Sequence, residues 1–208
     1  MTKIYIQGTF GAYSHLAALQ IEPDAEIIPC KTFDECFLKA SSENDTKIVI
    51  PEANRITGNI GIEYLIFKYR LNIYREYFQK IEHNLLGQPG SNLSDIKDVF
   101  SHSQGLSQCS NFIKKNTLNE HVRADTAGSA EAIARNKIKS EAAIASTLSA
   151  KIYKLKILVA NIENEKGNVT RFLIMGKKIL QPEFLNKKYI TSFLFKLKSK
   201  PAALYQSL

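Results

Sequence analysis

"KIYIQGTFGAYSHLAALQIE" (residues 3–22) runs from a short β-like segment through a glycine loop into a helical stretch. KIYIQ (3–7) reads as a strand, and SHLAALQIE (14–22) as a helix with the Ser14 hydroxyl as its N-cap. The loop between them, GTFGAYSH (8–15), has glycines where a backbone can approach a ligand closely. It also precedes a helix whose first N–H groups would face any anion held there. An ordinary strand-to-helix turn has the same composition, so this stretch leaves both readings open. Its strand–loop–helix order recurs along the chain, which predicts an α/β layered fold.

Moving outward, TFDECFLKASS opens with Thr32 and has Glu35 three residues later, the spacing of a capping box. TKIVIP is the next strand, and it runs into IPEANRITGNI (50–60). NIGIEYLIFKYR predicts a helix with Ile60, Tyr64, Leu65 and Phe67 on one side. NIYREYFQKIEHNLLG (72–87) has long β character, and the spacer QPGSNLSD (88–95) predicts a hinge or lobe boundary. A second α/β set follows in KDVFSH, QGLSQCSNFIKKN, HVRAD, AGSAEAIARNK, EAAIAS and TLSAKIYKL. Two lobes with a ligand cleft between them fit this order, because α/β folds place ligands where strand ends meet.

With 208 residues and 44% hydrophobic content, the chain can bury a substantial core. No apolar run reaches the roughly 18 residues of a membrane span, and no secretory h-region is visible at the N-terminus. A cytoplasmic protein that engages no membrane is the expectation. Cys30, Cys36 and Cys109 form no CxxC pair and read as reduced thiols. His15, His83, His102 and His121 lack metal-site spacing, so no metal site is expected. The formal charge of +8 invites a nucleic-acid reading, but 22 lysines against 6 arginines lie scattered without a dense basic run. No nucleic-acid partner is expected; an anionic small molecule suits the charge at least as well.

Two further polar loops stand beside strands. In SHSQGLSQC (101–109), Ser101 and Gln104 also have capping-box spacing, and Gln108 lies one turn beyond Gln104 on the same face. In GNVTRFLIM (167–175), Thr170 and Arg171 sit at the mouth of an apolar strand, where a plain hairpin end is the competing reading.

Taken in order, these motifs resemble prephenate dehydratase, the enzyme that makes phenylpyruvate on the way to phenylalanine. YIQGTFGAYSHLAA resembles its opening glycine loop, and SHSQGLSQC its Ser-His-Pro-Gln…Gln-Cys motif with Ser103 in place of proline. ADTAGSAEAIA (124–134) and EAAIAS (141–146) resemble its second-lobe helix and strand. NIENEKGNVTRFLIMGK resembles its Asn-x-Thr-Arg-Phe signature. The resemblance covers about residues 3–178. Beyond it, residues 189–208 resemble the first strand and helix start of an ACT domain, too short to complete one.

The resemblance implies a two-lobed, periplasmic-binding-protein-like (type II) α/β fold with the active site in the inter-lobe cleft. Residues 1–87 with 160–180 would form the first lobe, 88–159 the second, and 189–208 the incomplete ACT start. It implies loss of carbon dioxide and water from prephenate, or from its amino analogue arogenate, with no cofactor. Carried over by position, Thr170 would assist departure of the hydroxyl, with Asn54, Gln108 and Ser101 also catalytic. Gly11, Ala12, Tyr13, Ser14, His102, Gln104, Arg171 and Phe172 would bind substrate. Arg171 would hold a carboxylate or brace the Thr170 loop, and Phe172 would mostly pack. A homodimer stays open.

The second motif departs from the family pattern Pro-x-Glu-Asn-Ser. Pro51 and Gly58 fix the register, which puts Ala53 on the glutamate and Arg55 on the serine. Glu52 comes one position early and, on a regular strand, would face away from the expected carboxylate unless the segment is bulged. Milder departures are Lys154, where a glycine is usual, and Asn164, where an aspartate is common. A catalytically weak relative that binds a small carboxylate is the alternative this raises.

Overall fold

The computed structural model describes residues 2–179 together with Pro201, Ala202 and Tyr205. The expected ACT start at 189–208 lies outside the described residues apart from those three positions. The first sheet contains β1 (Lys3–Gln7), β2 (Glu26–Cys30), β3 (Thr46–Asn54), β4 (Gly58–Asn59), β5 (Asn72–Lys80) and β11 (Val169–Gly176). Its order is β2-β1-β3-β11-β5, with β4 hooked onto β3. β1 pairs in parallel with β2 and β3, while β11 is antiparallel to both β3 and β5. The helices α1 (Tyr13–Ile21), α2 (Phe33–Ser42) and α3 (Glu63–Tyr69) belong to this lobe.

The second sheet has the order β10-β6-β9-β7-β8, built from β6 (Asn84–Gly87), β7 (Asp98–Ser101), β8 (Asn119–Val122), β9 (Glu141–Ala145) and β10 (Lys156–Val159). Around it lie α4 (Ser103–Gln108), α5 (Ser110–Lys115), α6 (Thr126–Asn136) and α7 (Thr147–Ile152). Each lobe thus repeats one device. Three parallel strands lie in the order second-first-third, so the chain reverses its direction of travel across the sheet beside the first strand. The crevice at the carboxyl ends of such strands is where α/β sheets hold ligands.

Strands buried on both faces need apolar side chains on both, and this sequence supplies them. Ile4, Ile6, Val49, Phe172 and Ile174 pack under α1 with Ala17 and Ala18. Tyr5, Ile48, Ile50, Leu173 and Met175 point the other way, onto Cys36, Phe37 and Ala40 of α2. Each large side chain so buried contributes about 1.5–3 kcal/mol. The small residues Ala143 and Ala145 let α6 and its Ala130 and Ile133 approach β9 closely.

Several local expectations change. Ser14 is not the cap of α1. Ala12 occupies the N-cap with no side-chain bond, and Ser14 lies buried inside the first turn. The helix expected from Asn59 onward begins at Glu63, with Tyr64 and Phe67 exposed and Ile60, Leu65, Ile66 and Tyr69 turned to the core. Thr32 does cap α2, its Oγ1 accepting the Glu35 N–H at 3.1 Å, while the Glu35 carboxylate accepts the Lys31 N–H. The boundary expected at 88–95 moves upstream, because β6 at 84–87 already belongs to the second sheet. The long β stretch 72–87 is two strands of two different sheets, and the chain crosses between lobes at Ile81–His83.

The return crossing precedes β11, and the two crossings are bonded together. Ile81 N–H donates to Asn168 O at 2.9 Å, Ile162 N–H donates to His83 O at 2.9 Å, and His83 N–H donates to Glu163 Oε2 at 3.1 Å.

Candidate active site

A cleft of about 520 Å³ opens where the carboxyl ends of the two sets of strands face each other. From the first lobe it takes Ala12, Tyr13 and Ser14 of the glycine loop, Pro51 and Asn54 of β3, and Thr170 and Phe172 of β11. The second lobe contributes His102, Gln104, Gly105 and Gln108, together with Asp125 and Thr126. His83 and Asn168 line it from the two crossings.

Thr170 and Asn54 are cross-strand partners, and the Asn54 Nδ2 donates to Thr170 Oγ1 at 2.8 Å. The amide orientation is fixed by its other end. Asn54 Oδ1 accepts the N–H groups of Ile56 (2.9 Å) and Thr57 (3.1 Å), so nitrogen must face the threonine. With one lone pair of Oγ1 engaged, the Thr170 hydroxyl has its proton free to donate into the cleft. Thr170 is buried, in the layer of Phe172, which floors the cleft and packs in the core.

The segment before Asn54 is bulged. Phe172 pairs with Pro51 and Arg171 with Ala53, which leaves Glu52 as the extra residue of β3. Bulging restores what a regular strand would lose. Pro51 and Asn54 both face the cleft, while Glu52 reaches the other face, where Arg171 Nη1 donates to it at 3.3 Å. Arg171 Nε also donates to Glu76 Oε2 at 2.7 Å. Arg171 therefore does not line the cleft and holds β3, β11 and β5 together. Arg55, at the motif serine, donates from Nη1 to Gly167 O at 2.9 Å and ties its loop to the one leading into β11.

Other expected residues divide. Gln104 and Gln108 both line the cleft from α4. Ser101 does not: it is fully buried, and its Oγ donates to Ile144 O at 2.7 Å. The capping box expected for Ser101 and Gln104 is absent, and His102 is the N-cap, its Nδ1 accepting the Gln104 N–H at 3.2 Å. Gly11 has its N–H on His15 Nδ1 (2.9 Å), and its carbonyl accepts the hydroxyls of Ser146 (2.7 Å) and Ser149 (3.0 Å). It clamps the lobes instead of offering an N–H to ligand. Ala12 N–H is likewise taken by Thr9 O. The Tyr13 and Ser14 N–H groups, in the first turn of α1, have no partner among the described residues and point their donors at the cleft end of the helix.

His83, in the sequence only one of four scattered histidines, has no signal that places it in the cleft, because the surrounding run reads as one uninterrupted strand. Gln108 Oε1 accepts from Asn168 Nδ2 at 3.1 Å and lies 2.9 Å from His83 Nε2, so a neutral His83 carries its proton on Nε2. His83 Nδ1 then faces the Tyr13 hydroxyl at 3.2 Å, which donates to Glu82 O at 2.7 Å. This chain links α1 and α4 through the crossings, and its burial pushes the His83 pKa below the ordinary 6.5. Burial lowers the His15 pKa as well. A histidine that resists protonation when folded binds fewer protons than the unfolded chain just below pH 6.5. Stability is then fully present above pH 6.5 and falls as the pH drops through the window beneath it. Urea midpoints measured from pH 7.5 to 5 should fall accordingly, and His83→Gln should flatten the trend.

Among the described residues that line the cleft there is no lysine or arginine, so the basic charge of the chain is not concentrated there. Nor do the described residues contain a group of three or more His, Cys, Asp or Glu side chains able to hold a metal ion. None of their helices is long and apolar enough to cross a membrane.

A family model described as prephenate dehydratase matches residues 4–179, the stretch that carries both lobes and every residue of this cleft. The chain belongs to the prephenate dehydratase family. It is 37% identical over 207 residues to arogenate dehydratase/prephenate dehydratase 1, chloroplastic, of Arabidopsis thaliana, covering 99% of this chain and 53% of that protein. A bifunctional N-acyl-homoserine lactone acylase/prephenate dehydratase of Komagataeibacter europaeus is 34% identical, with 99% and 73% covered. The crystal structure of the Arthrobacter aurescens prephenate dehydratase in complex with L-Phe superposes with a TM-score of 0.80 at 25% identity, covering 88% of this chain and 62% of that one. The chain spans about half the length of the plant relatives it matches. The two-lobed α/β class expected from the sequence is the class observed, and the family is the one its motifs resemble.

Proposed function

We propose that the chain is a prephenate or arogenate dehydratase whose reacting donor is the Thr170 hydroxyl. The observation that carries this reading is the Asn54–Thr170 hydrogen bond, which leaves the hydroxyl proton available on the cleft side. In the reaction, the bond between the ring and its carboxylate breaks and releases carbon dioxide. The electron pair moves through the ring as the carbon–oxygen bond opposite breaks, and the departing hydroxide takes a proton to become water. Phenylpyruvate forms from prephenate and phenylalanine from arogenate, with no oxidant or reductant required. A threonine is too weak an acid to drive this by strength. It acts as a placed donor where charge develops, and aromatisation supplies the driving force.

The absence of lysine and arginine from the described lining suits this chemistry. A cation on the departing carboxylate would stabilise the substrate more than the transition state, in which that charge is being lost. The substrate's second carboxylate is held by the Tyr13 and Ser14 N–H groups, with Gln104 and Gln108 across the cleft. Tyr13 also reaches the His83 chain, so the glycine loop and α4 are positioned together. A cytoplasmic location and pairing of two copies belong to the same proposal.

The test is turnover by the purified protein, following phenylpyruvate from prephenate and phenylalanine from arogenate. Formation of neither above the buffer rate overturns the reading. The altered second motif yields a separate prediction. Because Glu52 already meets Arg171 through the bulge, Ala53→Glu combined with Arg55→Ser should bring no gain in kcat/KM. A tenfold gain would show that the bulge does not replace the missing carboxylate, and would favour the weak-relative alternative.

A further inference from the structure

We propose that Asp125 is the ammonium-binding residue of the cleft, and that the site favours the amino-acid substrate arogenate over the keto acid prephenate. This rests on the dehydratase reading above and deepens it. The two substrates share the ring, its carboxylate and its hydroxyl. They differ where prephenate carries a ketone and arogenate an ammonium group beside the side-chain carboxylate.

Asp125 is the one carboxylate among the described residues that line the cleft. It stands at the N-cap of α6, where Oδ1 accepts the Gly128 N–H at 2.6 Å. The same oxygen receives the Thr9 hydroxyl at 3.4 Å, which brings Asp125 against the glycine loop of the opposite lobe. Oδ2 takes no hydrogen bond from the described residues. A half-buried carboxylate with a free oxygen, in a cleft whose described lining has no lysine or arginine, is a poor neighbour for a dianion. It is a good neighbour for a zwitterion.

The donors lie on the other lobe, at the Tyr13 and Ser14 N–H groups in the first turn of α1. The cleft is thus polarised, with N–H donors at the glycine loop and a carboxylate across from it. An α-amino acid bears both complementary charges on one carbon. A 2-keto acid bears only the negative one, and it must accept Asp125 without compensation.

Asp125→Asn isolates the charge, because asparagine caps a helix as well as aspartate does. In the wild type kcat/KM should be higher for arogenate, and in the variant that preference should shrink by about tenfold or more. If Asp125 only caps α6, both substrates lose equally, and that result overturns the proposal. So does a wild type that prefers prephenate. Asp125→Ser, another capping residue, serves if the asparagine variant does not fold. Should neither substrate be turned over, the dehydratase reading fails on its own, and ligand binding still decides the ammonium assignment. Calorimetry should then find L-phenylalanine bound at least about tenfold more tightly than phenylpyruvate by the wild type, and comparably by Asp125→Asn. Equal binding of the two by the wild type overturns the assignment.

Discussion

Thr170→Val should lower kcat on prephenate or arogenate by about 10²- to 10⁴-fold, the contribution of a well-placed proton donor. Valine keeps the branched shape under Phe172 and removes the one atom that can donate. KM should change little, because in the proposed mechanism the hydroxyl acts on the departing group and the carboxylate contacts lie elsewhere. The substitution also leaves the Asn54 Nδ2 without its acceptor, so some stability is lost, about 1–3 kcal/mol for a buried donor. Thr170→Ser separates the two effects, since it restores the acceptor and the donor together. A serine variant near wild-type rate beside an inactive valine variant assigns the role to the hydroxyl. A valine variant at wild-type rate removes Thr170 from the chemistry.

Gly11→Ala should destabilise the protein by about 2–4 kcal/mol. Gly11 has φ +93°, a conformation alanine enters at a cost, and an added Cβ would lie 2.6 Å from Ser149 Oγ and 3.0 Å from Ser149 Cα. A rotamer change could clear the oxygen. It cannot clear the backbone carbon, so the glycine loop and the start of α7 would have to separate. That movement breaks the bonds from Ser146 and Ser149 to the Gly11 carbonyl and from Tyr153 Oη to Phe10 O. Gly8→Ala is the matched control. Its φ is +108°, but its Cβ would meet only Ala12 Cβ at 3.4 Å. Urea unfolding should show a clearly larger loss for Gly11 than for Gly8. Equal losses would mean that backbone strain alone is responsible and that the lobes are not clamped at this point.

The strands and helices were legible where periodicity carries them. Apolar runs such as KIYIQ and TKIVI bury both faces and could hardly be anything else. The Asn54–Thr170 pair was legible through motif order, since nothing local to either residue announces that they touch. What stayed hidden depends on the path of the chain. Residues 72–87 have uniform β character, and only pairing reveals that the first part bonds to β11 and the last part to β9. His83 falls at that break and was lost with it. Glu52 turns on the exception left open for it: alternation along a strand is a sound rule, and the one bulge here reverses it. Ser101 and Arg171 belong to their motifs, yet one side chain turns under the sheet and the other onto the far face. Ser14 has a good capping side chain, but the turn at Gly11 starts the helix one residue ahead of it.

β11 lies between β3 and β5, yet it is made some ninety residues after β5. The ribosome therefore releases a first sheet with a vacant slot, flanked by the apolar faces of Ile48, Val49 and Ile50. The whole second lobe must emerge before that slot can be filled. Long-range pairing of this kind is slow and leaves strand edges open to neighbours meanwhile. The strand that closes the sheet is the one bearing Thr170, so a chain cut short before it lacks both the proposed proton donor and the staple of its first lobe. The same eight residues complete the first sheet and bring Thr170 to the cleft.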